Sequence, residues 1–136
     1  MAAPSDLIRS ERKDACTADG CARVHSYTAD DTRWCWPGPA KPRRAIDVEF
    51  RESPPAQLLA KLPSGGDFWH EWTRLEVVAK LTDTPALTLL GRGLLGAPVP
   101  TAITVETHNF DGFTASFGWL GDFDPVLCSS TNTELD

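Results

Sequence analysis

The chain has 136 residues, of which 41% are hydrophobic and 24% are charged, and this composition is typical of one soluble globular domain. Its net charge of -6 is unevenly spread, because residues 1–44 carry +2 and residues 45–136 carry -8. An acidic body repels phosphate backbones, which argues against nucleic acid as a partner and favours docking on a basic protein.

Neither a membrane span nor a secretion signal is recognisable in the sequence. The longest apolar stretch, residues 84–100, is interrupted by Arg92 and is shorter than a bilayer-spanning helix. No apolar h-region follows Met1, so we expect no signal peptide. We therefore expect the protein in the cytoplasm, which keeps thiols reduced, or within an assembled particle.

Residues 1–44 lack a sustained hydrophobic period and are predicted to form an extended polar and basic arm. Within this arm we expect a short helix over residues 5–14 and a short strand over residues 22–28. Residues 34–44 contain three prolines and a glycine, so they are predicted to be an extended connection to the rest of the chain.

Three of the four cysteines lie in the arm together with a histidine. Cys16, Cys21, His25 and Cys35 offer four zinc ligands, although their spacing differs from that of common zinc motifs. The alternatives are a disulfide, either Cys16 to Cys21 or one of these two to Cys35, and unliganded thiols. A reducing compartment favours the thiols, so we expect no cofactor unless this set binds zinc.

Two tryptophans lie in the proline-rich connection, and arginines flank them. Tryptophan and arginine are frequent anchors of protein interfaces. The predicted partner-binding anchors of the arm are therefore Trp34, Trp36, Arg33, Arg43 and Arg44. The alternative is that the arm folds back, so that both tryptophans cover the sheet of the main domain.

An internal similarity relates residues 46–62 to residues 77–93 at an offset of 31. Each segment is predicted to run from a strand through a capping hydroxyl, Ser53 or Thr84, into a short helix. A proline follows each hydroxyl and suits the first helical turn, since that position needs no N–H donor. The similarity indicates either a duplication or a common strand-to-helix junction.

Residues 74–81 show the clearest alternation of apolar and polar side chains, and this pattern predicts a strand. Its apolar face would hold Leu75, Val77, Ala79 and Leu81. The preceding residues 64–72 are predicted to be a loop that leads into this strand.

Residues 101–110 alternate as well, and the Asp-Gly pair at residues 111–112 predicts a two-residue hairpin with residues 113–123 as the partner strand. We therefore predict an α+β fold with a small, mostly antiparallel sheet, one or two short helices and a long N-terminal arm. The compact acidic domain is expected to span residues 45–128, followed by a polar tail over residues 129–136.

One further group of side chains is a candidate pocket. Glu106 and His108 lie two residues apart on a predicted strand and therefore share a face. With His70 they offer two histidines and one carboxylate, a set that binds metals or serves as acid and base. The alternative is that they form a solvated strand face.

The sequence offers little for an enzyme, since it lacks a phosphate-binding loop and a nucleophile elbow. We predict a non-catalytic protein that binds a protein partner or itself, as a structural subunit of a larger assembly of the virion or phage type. One alternative is an inhibitor or immunity-type protein that covers a basic target. The other is a small metal- or ligand-binding protein that uses His70, Glu106 and His108.

Overall fold

The computed structural model describes residues 8–10, 24–29, 32–36, 42–63 and 65–121, with the backbone alone for residues 8–10. The strands within these residues form two antiparallel three-stranded sheets, so the predicted α+β class is confirmed. The elements in chain order are β1 (Ile8–Ser10), β2 (His25–Tyr27), β3 (Arg33–Cys35), β4 (Arg44–Phe50), α1 (Ala56–Leu59), α2 (Phe68–Leu81), α3 (Ala86–Gly91), β5 (Ile103–Phe110) and β6 (Phe113–Leu120).

The two sheets and helix α2 form three layers. Sheet A has the strand order β1, β3, β2, and sheet B has the order β4, β6, β5. Successive side chains of a strand point to opposite faces, so β6 serves two cores. Ser116 and Gly118 face α2, whereas Phe117 and Trp119 face sheet A.

The core between α2 and sheet B depends on a close approach at Gly118. A Cβ atom at this position would clash with the side chain of Val77 and would lie 3.2 Å from that of Leu81. Ala45 and Ile103 are buried in the same core. The glycine therefore lets α2 lie directly on the central strand of sheet B.

Aromatic side chains fill the core between the two sheets. Trp34 packs edge-to-face on Phe113 with ring centroids 4.9 Å apart, and Trp36 packs in the same way on Phe117 at 5.1 Å. Ile46 is fully buried beside them. Strands β2 and β3, which fall in the predicted extended arm, thus form a packed layer of the molecule.

The predicted hairpin between β5 and β6 is confirmed. Asp111 and Gly112 have φ angles of 48° and 81°, the left-handed values that a type I′ turn requires at both positions. Glycine adopts this conformation without strain, and aspartate is among the few other residues that tolerate it. The turn sets the register in which Phe110 pairs with Phe113.

The predicted strand at residues 74–81 is wrong, and the loop predicted before it is wrong from Phe68 onward, because residues 68–81 form α2. The Asp67 carboxylate caps this helix by accepting the N–H of His70. Alternation arises because the helix is buried on two sides: Val77 packs on sheet B, whereas Leu75 and Val78 face the side of α3. Two buried faces of one helix produce an apparent period of two.

The predicted capping hydroxyls, Ser53 and Thr84, do not cap α1 and α3. Both helices begin after a proline that itself holds the N-cap position with an extended ψ angle, and neither has a side-chain cap hydrogen bond. The two similar segments also differ in structure, since residues 46–50 belong to β4 whereas residues 77–81 belong to α2.

Some predictions fall partly or wholly outside the described residues. The helix predicted over residues 5–14 is wrong at Ile8–Ser10, which pair with β3 as a strand, and the rest of that range lies outside. Residues 122–128 of the predicted domain and the predicted tail 129–136 also lie outside. Within the described ranges, no helix has both the length and the apolar content needed to cross a membrane.

Candidate functional site

Four of the five side chains that were predicted to bind a partner are buried in the folded protein. Trp34 and Trp36 are 5% and 2% exposed, and Arg33 and Arg44 are 6% and 7% exposed. The Arg44 guanidinium donates to the carbonyl oxygen of Trp36 at 3.1 Å and lies 4.7 Å from the centroid of its ring. The prediction that these side chains contact a partner is therefore corrected, since folding of β2 and β3 onto sheet B buries them.

The fifth predicted anchor, Arg43, is exposed but contacts the end of α2. Its guanidinium donates to the Asp83 carboxylate at 2.6 Å and to the carbonyl oxygens of Lys80 and Leu81. The last carbonyls of a helix lack partners within the helix, so Arg43, the residue before β4, caps the end of α2. The hydrogen bond from Arg43 lowers the pKa of Asp83 below its usual value.

The candidate zinc ligands do not form one site in the part that the structure describes. Cys16 and Cys21 lie outside it, His25 is on β2, and Cys35 on β3 is disulfide-bonded. Cys35 is therefore neither a free thiol nor a thiolate ligand here, which corrects the expectation of unliganded thiols at this position. A disulfide that includes Cys35 was one of the alternatives that the sequence left open.

The candidate pocket is divided by sheet B. His108 Nε2 lies 3.4 Å from Glu106 Oε1, and the His108 ring packs on Phe117, which faces sheet A. His70 belongs to α2 and lies on the opposite face. The pair on β5 is therefore brought together and His70 is not. Among the described residues, no three His, Cys, Asp or Glu side chains are grouped so that they could hold a metal ion.

A group of charged residues connects the three layers, and we call it the acidic junction: Asp47, which is buried, Glu49 and Glu76, which are partly buried, and Lys80, which is exposed. Lys80 Nζ donates to the backbone carbonyl of Ile46 at 2.6 Å and lies 3.8 Å from Asp47 Oδ1. The lysine thereby joins α2 to the edge strand β4.

Sheet A contacts the acidic junction at the hydroxyl of Ser26. Ser26 Oγ donates to Asp47 Oδ1 at 3.4 Å and accepts the N–H of Val48 at 2.9 Å. Asp47 is 5% exposed, and its second carboxylate oxygen, Oδ2, is buried. The junction thus places three carboxyl groups near one ammonium group.

Burial dominates the electrostatics of the acidic junction. It raises the pKa of Asp47 well above its usual value, and the nearby Glu49 adds to this effect. Burial also raises the pKa values of Glu49 and Glu76, which Lys80 opposes. These carboxyl groups therefore hold protons at a higher pH than exposed carboxyl groups do.

On the opposite flank of α2 lies an apolar groove, a cavity of about 240 Å³ between α2, α3 and residues 94–100. Its apolar walls come from all three segments and include Leu75, Val78, Leu89, Leu94 and Val99. Gly96 lies in its lining with a φ angle of 83°, and a Cβ atom there would lie 2.9 Å from the Pro63 ring. The glycine thus brings this loop against the end of α1.

Three charged side chains lie around the apolar groove. Glu71 and Arg74 come from α2 and pair with each other at 3.7 Å, one helical turn apart. Arg92 comes from the C-cap position of α3. The groove therefore combines an apolar interior with a local excess of positive charge.

Neither the acidic junction nor the apolar groove was predicted from the sequence. Asp47 and Glu49 alternate with apolar residues on a strand, which indicates a solvated face, but α2 covers that face. The spacing of Glu76 and Lys80, four residues apart, is a helical signal that the strand prediction hid. The groove depends on how α3 and the following loop pack on α2, for which the sequence offers no signal.

A comparison with known proteins finds no family that matches the chain and no similar curated protein or solved structure.

Proposed function

We propose that the protein is a non-catalytic binding protein that receives an apolar segment of a protein partner in the groove between α2 and α3. The observation that carries this proposal is the groove itself, an apolar cavity beside a leucine, Leu94, that is 40% exposed. Exposed apolar surface around a concavity is typical of sites where proteins meet.

The size of the groove favours a protein segment over a small molecule. Pockets that enclose drug-sized ligands have volumes of roughly 300–1,000 Å³, whereas this cavity has about 240 Å³. Such a volume suits one or two side chains of a larger partner, which is how anchor residues bind at protein interfaces.

The function proposed is still protein binding, as predicted from the sequence, but the binding surface is the groove instead of the arm. The arm no longer supports an assembly, since the described anchors are buried or bonded within the chain. In an assembly, the groove would bind a second copy of the chain. In an inhibitor, it would bind a different protein. Native mass spectrometry of the purified chain distinguishes them: a defined oligomer supports the assembly, and a monomer supports a separate partner.

The test compares two exposed leucines near α3. Leu94→Ser removes an apolar side chain from the groove, whereas Leu87→Ser changes a leucine that is 71% exposed on α3 and is not part of the groove lining. We expect a partner that binds the wild type and Leu87→Ser alike but binds Leu94→Ser at least tenfold more weakly, because an interface anchor contributes over 1 kcal/mol.

Partners from the source cells would be captured on the three immobilised chains, and each one measured again with purified components by isothermal titration calorimetry. Equal affinity for Leu94→Ser and Leu87→Ser would contradict the proposal. Thermal unfolding of both variants provides the control, since a surface leucine contributes little to stability.

A further inference from the structure

We infer that the segment bound in the apolar groove carries a carboxylate next to its apolar side chains, and that Arg92 pairs with this carboxylate. This inference rests on the proposed function, because it describes the chemistry of the partner at the same groove. The molecule that binds in the groove is thus a protein segment that is both acidic and apolar.

The distribution of charge is the first reason. Residues 45–136 contain five Lys or Arg side chains against thirteen Asp or Glu side chains. Two of those five, Arg74 and Arg92, lie at the groove, together with a single acidic side chain, Glu71. An otherwise acidic domain thus has a positive site at the groove lined by apolar residues of α2 and α3.

The second reason is that the two arginines differ in availability. Arg74 already has an acidic partner in Glu71. Arg92 is exposed, and in the described part of the chain no carboxylate pairs with its guanidinium. A guanidinium recognises a carboxylate through two parallel hydrogen bonds, so Arg92 is the group that selects the charge of the segment.

The third reason is that the backbone fixes the base of Arg92 beside the groove. Its N–H donates to the carbonyl oxygens of Thr88 and Leu89 at the end of α3. Gly93 follows with a φ angle of 75°, and the N–H of Leu94 returns to the carbonyl of Leu89. This turn is a Schellman motif, which ends the helix at a defined residue. Arg92 and Leu94 are thereby held at the same groove, one charged and one apolar.

The experiment titrates the full isotope-labelled chain with two synthetic peptides and follows amide signals by NMR. The peptides are acetyl-Leu-Asp-Leu-amide and acetyl-Leu-Asn-Leu-amide, which differ only in the charge of the central residue. We expect both to shift the amide signals of the groove, and the acidic peptide to bind about fivefold more tightly at low salt. This preference falls at about 0.5 M salt, because salt screens an exposed ion pair.

Two variants with the same change in net charge locate the effect. Arg92→Gln removes the preference for the acidic peptide. Lys61→Gln preserves it, since Lys61 is exposed near α1 and is not part of the groove lining. Glu71→Gln releases Arg74 from its partner and increases the preference.

The outcomes separate the inference from the proposed function. Equal binding of the two peptides, or a preference that survives Arg92→Gln, overturns the inference but leaves the groove as an apolar binding site. A groove that responds to neither peptide overturns the proposed function as well. Tighter binding of octanoate than of either peptide overturns the inference in favour of a small anionic amphiphile.

Discussion

Gly118 lies where α2 crosses the central strand of sheet B, and the missing side chain leaves the space that Val77 occupies. Close packing of this kind is sensitive to one additional methyl group, because protein interiors contain few voids. A substitution at Gly118 therefore tests directly whether α2 and sheet B are in contact.

At the residue scale, we predict that Gly118→Ala lowers the free energy of unfolding by about 1–3 kcal/mol, since the new Cβ forces α2 away from β6. The matched control is Gly91→Ala at the end of α3, where a Cβ atom would meet nothing within 4 Å. It should leave stability unchanged or raise it by up to about 1 kcal/mol. Urea unfolding measures both, and equal effects of the two substitutions would mean that the close approach is absent.

At the element scale, the start of α2 depends on Asp67. Its carboxylate accepts the N–H of His70 at 3.3 Å and the guanidinium of Arg51 at 2.8 Å. Burial acts against ionisation of this group, but the hydrogen bond from Arg51 and then the one from the His70 N–H lower the pKa of Asp67 below its usual value. The helix therefore begins at a cap that an ion pair also holds in place.

We predict that Asp67→Ala lowers the free energy of unfolding by about 1 kcal/mol, the usual contribution of an N-cap residue. Asp67→Asn keeps a capping oxygen and loses only the ion pair, so its effect should be less than half as large. Ser53→Ala should have no measurable effect, because Ser53 does not cap α1. A loss at Ser53 equal to that at Asp67 would restore the capping scheme predicted from the sequence.

The elements predicted correctly from the sequence are those determined by local signals. The Asp-Gly turn and the alternation of β5 and β6 act within the hairpin itself, so their pattern predicts their structure. Alternation in α2 has a different cause, because Leu75 and Val78 are buried by α3 and its loop whereas Val77 is buried by sheet B. The alternation in α2 therefore reflects contacts with two separate elements. The sequence alone does not show these contacts.

At the scale of the whole molecule, the acidic junction connects stability to pH. Burial raises the pKa values of Asp47, Glu49 and Glu76 in the folded protein. Between the pKa values of the unfolded and folded states, the folded protein binds more protons than the unfolded chain. Its free energy of unfolding therefore falls as the pH rises through this window.

We predict that urea unfolding shows decreasing stability as the pH rises above about 4, the value of unperturbed carboxyl groups. The contribution of the junction is complete below that pH and is lost as the pH rises through the folded-state pKa values. Asp67, Asp83 and His25, whose pKa values are lowered, act in the opposite sense and lose their contribution as the pH falls.

The variant that isolates the junction is Asp47→Asn, which retains an acceptor for Ser26 and removes the buried charge. It should make the decline with pH shallower and should raise stability at about pH 8. Glu52→Gln removes an exposed carboxylate outside the junction and should leave the slope unchanged. A slope that stays the same in Asp47→Asn would show that the junction does not determine the pH response.

Little of the candidate site could be predicted from the sequence, for a related reason. Trp34 and Trp36 were predicted to anchor a partner because tryptophan is frequent at protein interfaces. In the structure they contact Phe113 and Phe117, which lie far along the chain. The structure shows the alternative, in which the arm folds back and both tryptophans cover the sheet. Large aromatic side chains are common in cores and in interfaces, and only the fold determines which residues cover them.

The strand order of sheet B has a consequence for how the chain folds. Strands β5 and β6 are joined by a two-residue turn and can associate as soon as both are present. Strand β4 pairs with the other edge of β6, with Phe50 opposite Phe113, although three helices and β5 separate the two strands along the chain. Contacts between distant residues slow folding, because loop closure costs entropy before those contacts form. We therefore expect the hairpin to form early in folding, and β4 to complete the sheet late.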